Sequence, residues 1–190
     1  AHLPGNASYT PSAWILDCEN GSPGAAFTSC DYDVIVSELN YNSSDMNNSD
    51  DWVELKNISG QDLNIGGWRL RDEGGNTYQI PDGTMLNEDA YLVLVRNEVD
   101  FSDVHPVIQN TVGPMNVALS NSGDQIKLYD ASNTLIQSFE YSPNAPWPFE
   151  AAGIGKTLEF DLTSESACNA LSWFAGCPNG SPGRAYDPTC

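Results

Sequence analysis

One hundred and ninety residues suffice for one generous domain, and a 40% hydrophobic content with five Trp, eight Tyr and six Phe excludes plain disorder. Seven Lys and Arg against 26 Asp and Glu leave a net charge of −19. Such a surface repels phosphate, so neither a nucleic-acid partner nor docking on an anionic membrane is expected. No apolar run reaches the about 18 residues that a spanning helix requires, so no membrane insertion is expected either.

The chain opens on a segment that returns at its other end. Trp14-Ile-Leu-Asp-Cys18-Glu-Asn-Gly-Ser-Pro-Gly24 aligns without a gap on Trp173-Phe-Ala-Gly-Cys177-Pro-Asn-Gly-Ser-Pro-Gly183. In each copy an Ala, an aromatic residue and a closing Cys follow. Duplication is the economical explanation. Residues 1–30 then read as the tail of a preceding repeat or an N-terminal extension, and residues 31–190 as one complete module. The two ends docking side by side within one domain is the alternative. Trp14 and Trp173 are expected to plug each tail onto its sandwich, and the Asn-Gly-Ser-Pro-Gly turn to reverse the chain and stop the module.

Between these ends the pattern is of short strands split by turn residues. Residues 34–39 open the series, and 52–57 alternate apolar and polar side chains as a half-buried strand does. Residues 67–71 follow, with Trp68 and Leu70 on one face, and 77–80 come after a Gly-Gly-Asn turn. Residues 91–95 are apolar on both faces and read as a central strand. Segments 125–129 and 134–141 flank Asp130-Ala-Ser-Asn133 and form a hairpin. Residues 157–160 alternate once more. No helix of three turns is evident. The prediction is an all-β, antiparallel sandwich or barrel.

Cysteines stand at 18, 30, 168, 177 and 190, with no Cys-x-x-Cys pair and both His residues far away in sequence, which disfavours zinc. Disulfides fit an oxidising compartment: secreted, periplasmic or at a cell surface. The repeat pairs Cys18 with Cys30 and Cys177 with Cys190, since Cys168 has no counterpart; Cys168 with Cys177 is the competing choice. Asn-x-Ser sequons stand at Asn6, Asn42, Asn47, Asn57 and Asn179.

Catalysis finds little support. His2 and His105 have no nucleophile motif around them, and no Gly-x-Ser-x-Gly, His-Glu-x-x-His or P-loop occurs. Gly153-Ile-Gly-Lys-Thr157 lacks the first Gly of a phosphate loop and runs into a strand, so it reads as a structural turn. Glu38 and Glu54 make an imaginable acid/base pair, but a solvent-facing or pairing role is expected of carboxylates at such strand positions. The loop 42–51 is crowded with oxygen donors, and Asp45, Asp50 and Asp51 are candidate Ca²⁺ ligands set against a solvated hairpin tip. No other cofactor is expected. Trp147, between two prolines, is the candidate for stacking on a sugar, with covering the end of the sandwich as its alternative.

Taken in order, Ile35-Val-Ser-Glu-Leu-Asn-Tyr41, Asp51-Trp-Val-Glu-Leu-Lys-Asn57, Leu63-Asn-Ile-Gly-Gly-Trp-Arg-Leu70, Leu119-Ser-Asn-Ser-Gly-Asp124, Ala145-Pro-Trp-Pro148 and Gly180-Ser-Pro-Gly183 resemble the lamin tail domain of bacterial secreted proteins. The resemblance covers roughly residues 33 to 185. It implies an immunoglobulin-like β-sandwich without catalytic residues, used as a module beside other domains and often repeated. The Cys residues around the tail and the strong acidity depart from the pattern, so the basic surfaces with which some animal lamin tails meet DNA are not expected. The reading is therefore a non-catalytic interaction or spacer module of a larger, tandem-repeat, secreted or surface protein. Its partners are other domains of the same polypeptide or surface proteins. A carbohydrate- or calcium-binding adhesive module is the alternative.

Overall fold

A computed structural model describes residues 33–164 and 166–190. Trp14, Cys18, Cys30 and the boundary near residue 30 lie outside the described residues. A six-stranded sheet has the order β12 (Trp173–Pro178), β11 (Lys156–Phe160), β1 (Val34–Asn40), β2 (Trp52–Asn57), β7 (Tyr91–Val95) and β8 (Thr111–Val112). A four-stranded sheet has the order β10 (Leu135–Tyr141), β9 (Asp124–Tyr129), β4 (Arg69–Arg71) and β5 (Thr77–Gln79). A small ribbon joins β3 (Leu63–Asn64) to β6 (Met85–Leu86). Among the described residues all strand pairings are antiparallel except β7 with β8. Of the sandwich or barrel that the strand pattern predicts, this is the sandwich, of the immunoglobulin-like kind that the resemblance implies.

The main core lies between the sheets. Val34, Val36 and Leu39 of β1, Val53 and Leu55 of β2, Leu92 and Leu94 of β7 and Leu158 of β11 meet Leu70, Ile126, Leu128 and Phe139 of the other sheet. Trp173 closes one end of this core, its ring against Phe139, Phe160 and Trp147, and its indole N–H donates to the Ala167 carbonyl. Residues 173–178, expected only as a docked tail, are thus an edge strand hydrogen-bonded to β11.

The outer face of the six-stranded sheet carries a second, smaller core. Trp52, Val93 and Val95 point away from the main core and pack with Phe101 of α1 (Glu98–Val104) and with Ile108. β7 is therefore apolar on both faces because both faces are covered. The helix has only seven residues, with Asn97 capping the N–H groups of Val99 and Asp100. Asn57, a sequon residue, is buried, and its amide donates to the carbonyls of Gln61, Leu86 and Asn87.

Candidate functional site

Two acidic regions emerge. The first is a seam of three glutamates on the outer face of the large sheet. β1 pairs with β2 as Val36↔Leu55 and then Glu38↔Glu54, so one residue of β1, Ser37, is taken up by a bulge. Without that bulge Ser37 would face Glu54. The extra residue re-aims the strand and sets two carboxylates directly opposite each other. On its other side Glu38 pairs with Glu159 of β11. Glu159, Glu38 and Glu54 thus form a row across three strands, an arrangement that like-charge repulsion disfavours when all three are ionised.

The row is buried. Glu38 is 0% exposed, Glu54 1% and Glu159 6%. Of the two roles expected of Glu38 and Glu54, solvent-facing or pairing, the solvent-facing one does not hold: the chain after β12 folds over them, and both carboxylates accept hydrogen bonds. Asn179 and Gly180 both adopt positive φ, +64° and +87°, and turn the backbone onto the seam. A Cβ on Gly180 would fall within 2.8 Å of the Glu38 carboxylate, Thr157 and Trp52, so only glycine fits there. The Ser181 N–H donates to Glu38 at 3.0 Å, and its hydroxyl lies 3.1 Å from Glu159 Oε2. The Gly183 N–H donates to Glu54 at 2.6 Å, and Ser37 Oγ–H donates to Glu54 at 2.7 Å. Thr157 Oγ1–H donates to Glu38. Among the described residues every one of these donors is neutral.

Removal from water raises all three pKa values: Glu38 to about 7, Glu54 to about 9 and Glu159 to about 8, with the Glu38 charge as the next contribution for Glu54 and Glu159. Arg184, just past the turn, pulls Glu38 downward. Beside the seam, burial lowers His105 to about 4, and Arg184 adds to this. Its ring lies on Trp52 and Phe101.

The second region is the loop between β1 and β2. Asp45, Asp50 and Asp51 all line one polar cleft of about 430 Å³, together with Asn42, Asn48 and Arg96. Their roles diverge. Asp45 is exposed, whereas Asp50 meets Arg96 at 2.9 Å and Asp51 meets it at 3.6 Å. Asp51 also accepts the Leu119 N–H at 2.9 Å, and burial raises its pKa to about 6. Asn40 ties the loop down by donating to Ser43, Ser49 and the Asp50 carbonyl. Among the described residues no group of three His, Cys, Asp or Glu side chains is disposed to hold a metal ion.

Trp147 is half-buried, packed on the main core beside Trp173. Cys177 is joined to Cys190. This excludes a Cys168–Cys177 bridge, and Cys168 instead donates its thiol hydrogen to the Ser138 carbonyl at 3.0 Å. Among the described residues no helix is long and apolar enough to cross a membrane.

Sequence reasoning found Glu38 and Glu54 but missed Glu159, Thr157 and the seated turn. The signal for the turn was present in the Asn-Gly-Ser-Pro-Gly string that recurs at the two ends of the sequence. A family model described as the lamin tail domain matches residues 29–143. No curated protein matched the chain significantly.

Proposed function

The chain belongs to the lamin tail domain family, and from that premise we propose that it is a non-catalytic interaction and spacer module of a larger secreted or surface protein built from several such modules. One observation carries the non-catalytic part. The carboxylate constellation most like an acid/base site, Glu38 with Glu54 and Glu159, is sealed beneath residues 180–183 and hydrogen-bonded by them. A general acid or base must reach its substrate directly or through one water, and here the turn occupies that place.

The Cys177–Cys190 bridge supports an oxidising compartment, and the net charge of −19 supports a hydrated surface outside the cell. The same charge supports partners other than nucleic acid or an anionic membrane. The tandem arrangement rests on the duplicated ends. A second reading is an adhesive module for polysaccharide or Ca²⁺. The open cleft around Asp45, Asp50 and Asp51 favours it, while the contacts of Arg96 with Asp50 and Asp51 weigh against the cation.

Amide hydrogen exchange tests the main reading. The Ser181 and Gly183 N–H groups are expected to be protected as strongly as those of β1 and β2. Rapid exchange at both would mean that the seam opens to solvent, and the non-catalytic reading would fall.

A further inference from the structure

Beside the sealed seam the outer face of the large sheet holds a groove of about 200 Å³, walled mainly by aromatic and aliphatic side chains. Strand register puts the walls there. Phe174 of β12 pairs with Glu159, and Tyr91 of β7 pairs with Lys56, which shares the parity of Glu54 on β2. Cross-strand partners point to one face, so both rings stand on the same side of the sheet as the glutamates. The tail beyond the turn adds Tyr186, whose ring meets Phe174 with centroids 4.7 Å apart and planes at 68°. Tyr186 is 36% exposed and Leu162, at the rim, 47%, so the groove is open to a ligand.

Shape and chemistry narrow the ligand. A sugar ring lies flat on one aromatic face, whereas Phe174 and Tyr186 make a corner that suits a rounded group. The volume is below the roughly 300 Å³ at which pockets for larger ligands begin, so a small head group fits. The carboxylates that line the groove are engaged: Asp161 Oδ1 accepts the N–H and the hydroxyl of Thr163, and Glu159 accepts the Ser181 hydroxyl. A primary ammonium brings three donors that need acceptors; a quaternary one brings none. Charge favours a cation. Ring faces carry negative potential, Thr163 holds Asp161 below the usual carboxylate range, and the whole chain carries −19. Tyr91 already makes the interaction in question, with Lys56 Nζ 4.3 Å from its ring centroid and Asp89 meeting the lysine charge at 3.8 Å. Among the described residues no Lys, Arg or His lines the groove.

We infer that this groove binds a quaternary ammonium group of the choline type, with Tyr91, Phe174 and Tyr186 as aromatic walls and Asp161 as the counter-charge. The acidity that draws the cation repels a phosphate attached to it, so the ligand is the free quaternary amine and not a phospholipid head group. The site goes beyond the module reading and does not depend on it.

Calorimetric titration of the full chain with choline chloride tests this, beside the uncharged tert-butyl isostere in which carbon replaces nitrogen. Choline is expected to saturate the chain, and to bind about tenfold more tightly than the isostere. Tyr186→Ala is expected to weaken choline about five- to tenfold with the melting temperature unchanged, because Tyr186 lies outside the core, and Tyr186→Phe to retain binding. Asp161→Asn should weaken choline about threefold and leave the isostere as it was. No saturation by choline, or equal affinity for choline and the isostere, overturns the inference. So does Tyr186→Ala with undiminished affinity, which would place the ligand elsewhere. Ethanolamine binding as tightly as choline would overturn the quaternary head, a methyl glycoside binding more tightly would make the groove a sugar site, and phosphocholine binding more tightly would overturn the free amine. None of these results bears on the amide exchange of Ser181 and Gly183, so this inference and the module reading fail separately.

Discussion

The seam and the cleft are two answers to one problem. Both gather carboxylates in a molecule with 26 acidic and seven basic side chains. At the cleft the answer is a cation: Arg96 reaches Asp50 and Asp51, and the site stays open to water. At the seam the answer is a set of neutral donors under a backbone lid, with the carboxyl pKa values pushed into and above the neutral range. The cleft therefore depends on salt and on one side chain. The seam depends on pH and on the conformation of five residues.

The largest break in this comparison should come from Gly180→Ala. It adds a Cβ at φ +87° into contact with Glu38, Thr157 and Trp52. A cost of roughly 3 kcal/mol is expected from strain plus overpacking, read as a fall in the denaturant midpoint. An unchanged midpoint would show that the turn does not need its seat.

Cys177→Ser combined with Cys190→Ser should cost somewhat less, about 2–3 kcal/mol by the chain-entropy argument for a short loop. The loss should concentrate in the tail, visible as faster amide exchange at Ser181 and Gly183. The same loss in the natural chain on adding reductant, and none in the double variant, would assign it to the bridge.

The pH dependence follows from the raised pKa values. Carboxyls with folded values of about 7 to 9 bind more protons in the native than in the unfolded state above about pH 4.5. Stability is then highest at the acidic end of that window and falls as pH rises through it, the reverse of an ordinary salt-bridged carboxylate. Melting temperatures taken from pH 5 to 9 should decline for the natural chain and flatten in Glu54→Gln. Parallel curves would mean that the seam does not titrate. His105, lowered to about 4, works in the opposite direction, but only near the acidic end.

The smallest expected effect is at the cleft. Arg96 is 44% exposed at its side chain, so Arg96→Ala should cost about 0.5–1 kcal/mol, and less in high salt. That variant, and not the natural chain, should gain melting temperature from Ca²⁺ after stripping with chelator, because its carboxylates have lost their cation. A calcium response of equal size in both would restore Asp45, Asp50 and Asp51 as a ligand set.

Much of the sandwich was legible because alternation reports a half-buried strand directly. The predicted strands at 34–39, 52–57, 91–95 and 125–129 agree with the observed ones to within about one residue. β3, β6 and β8 are too short, at two residues each, for any period to show. α1, at seven residues, is too short for a helical stripe. β12 was obscured because Gly176, Cys177 and Pro178 read as loop chemistry, although Gly176 is glycine to clear Thr157 and Glu159. The seam was half legible. Glu38 and Glu54 stand out as polar positions in apolar strands, but their juxtaposition requires a bulge at Ser37. Glu159 joins them only through a pairing that spans more than a hundred residues of sequence. Local pattern carries no trace of either.

The bridge between Cys177 and Cys190 also decides where a mechanical load would travel. A pull applied at Cys190 crosses the sulfurs to Cys177 and enters β12, so residues 178–189 lie off the line of force. The turn that seals the glutamates sits inside that slack, and the tension falls instead on the ladder between β12 and β11. As a link in a tethered protein, the module would keep its acidic seam shut under tension until its outermost strand peeled away.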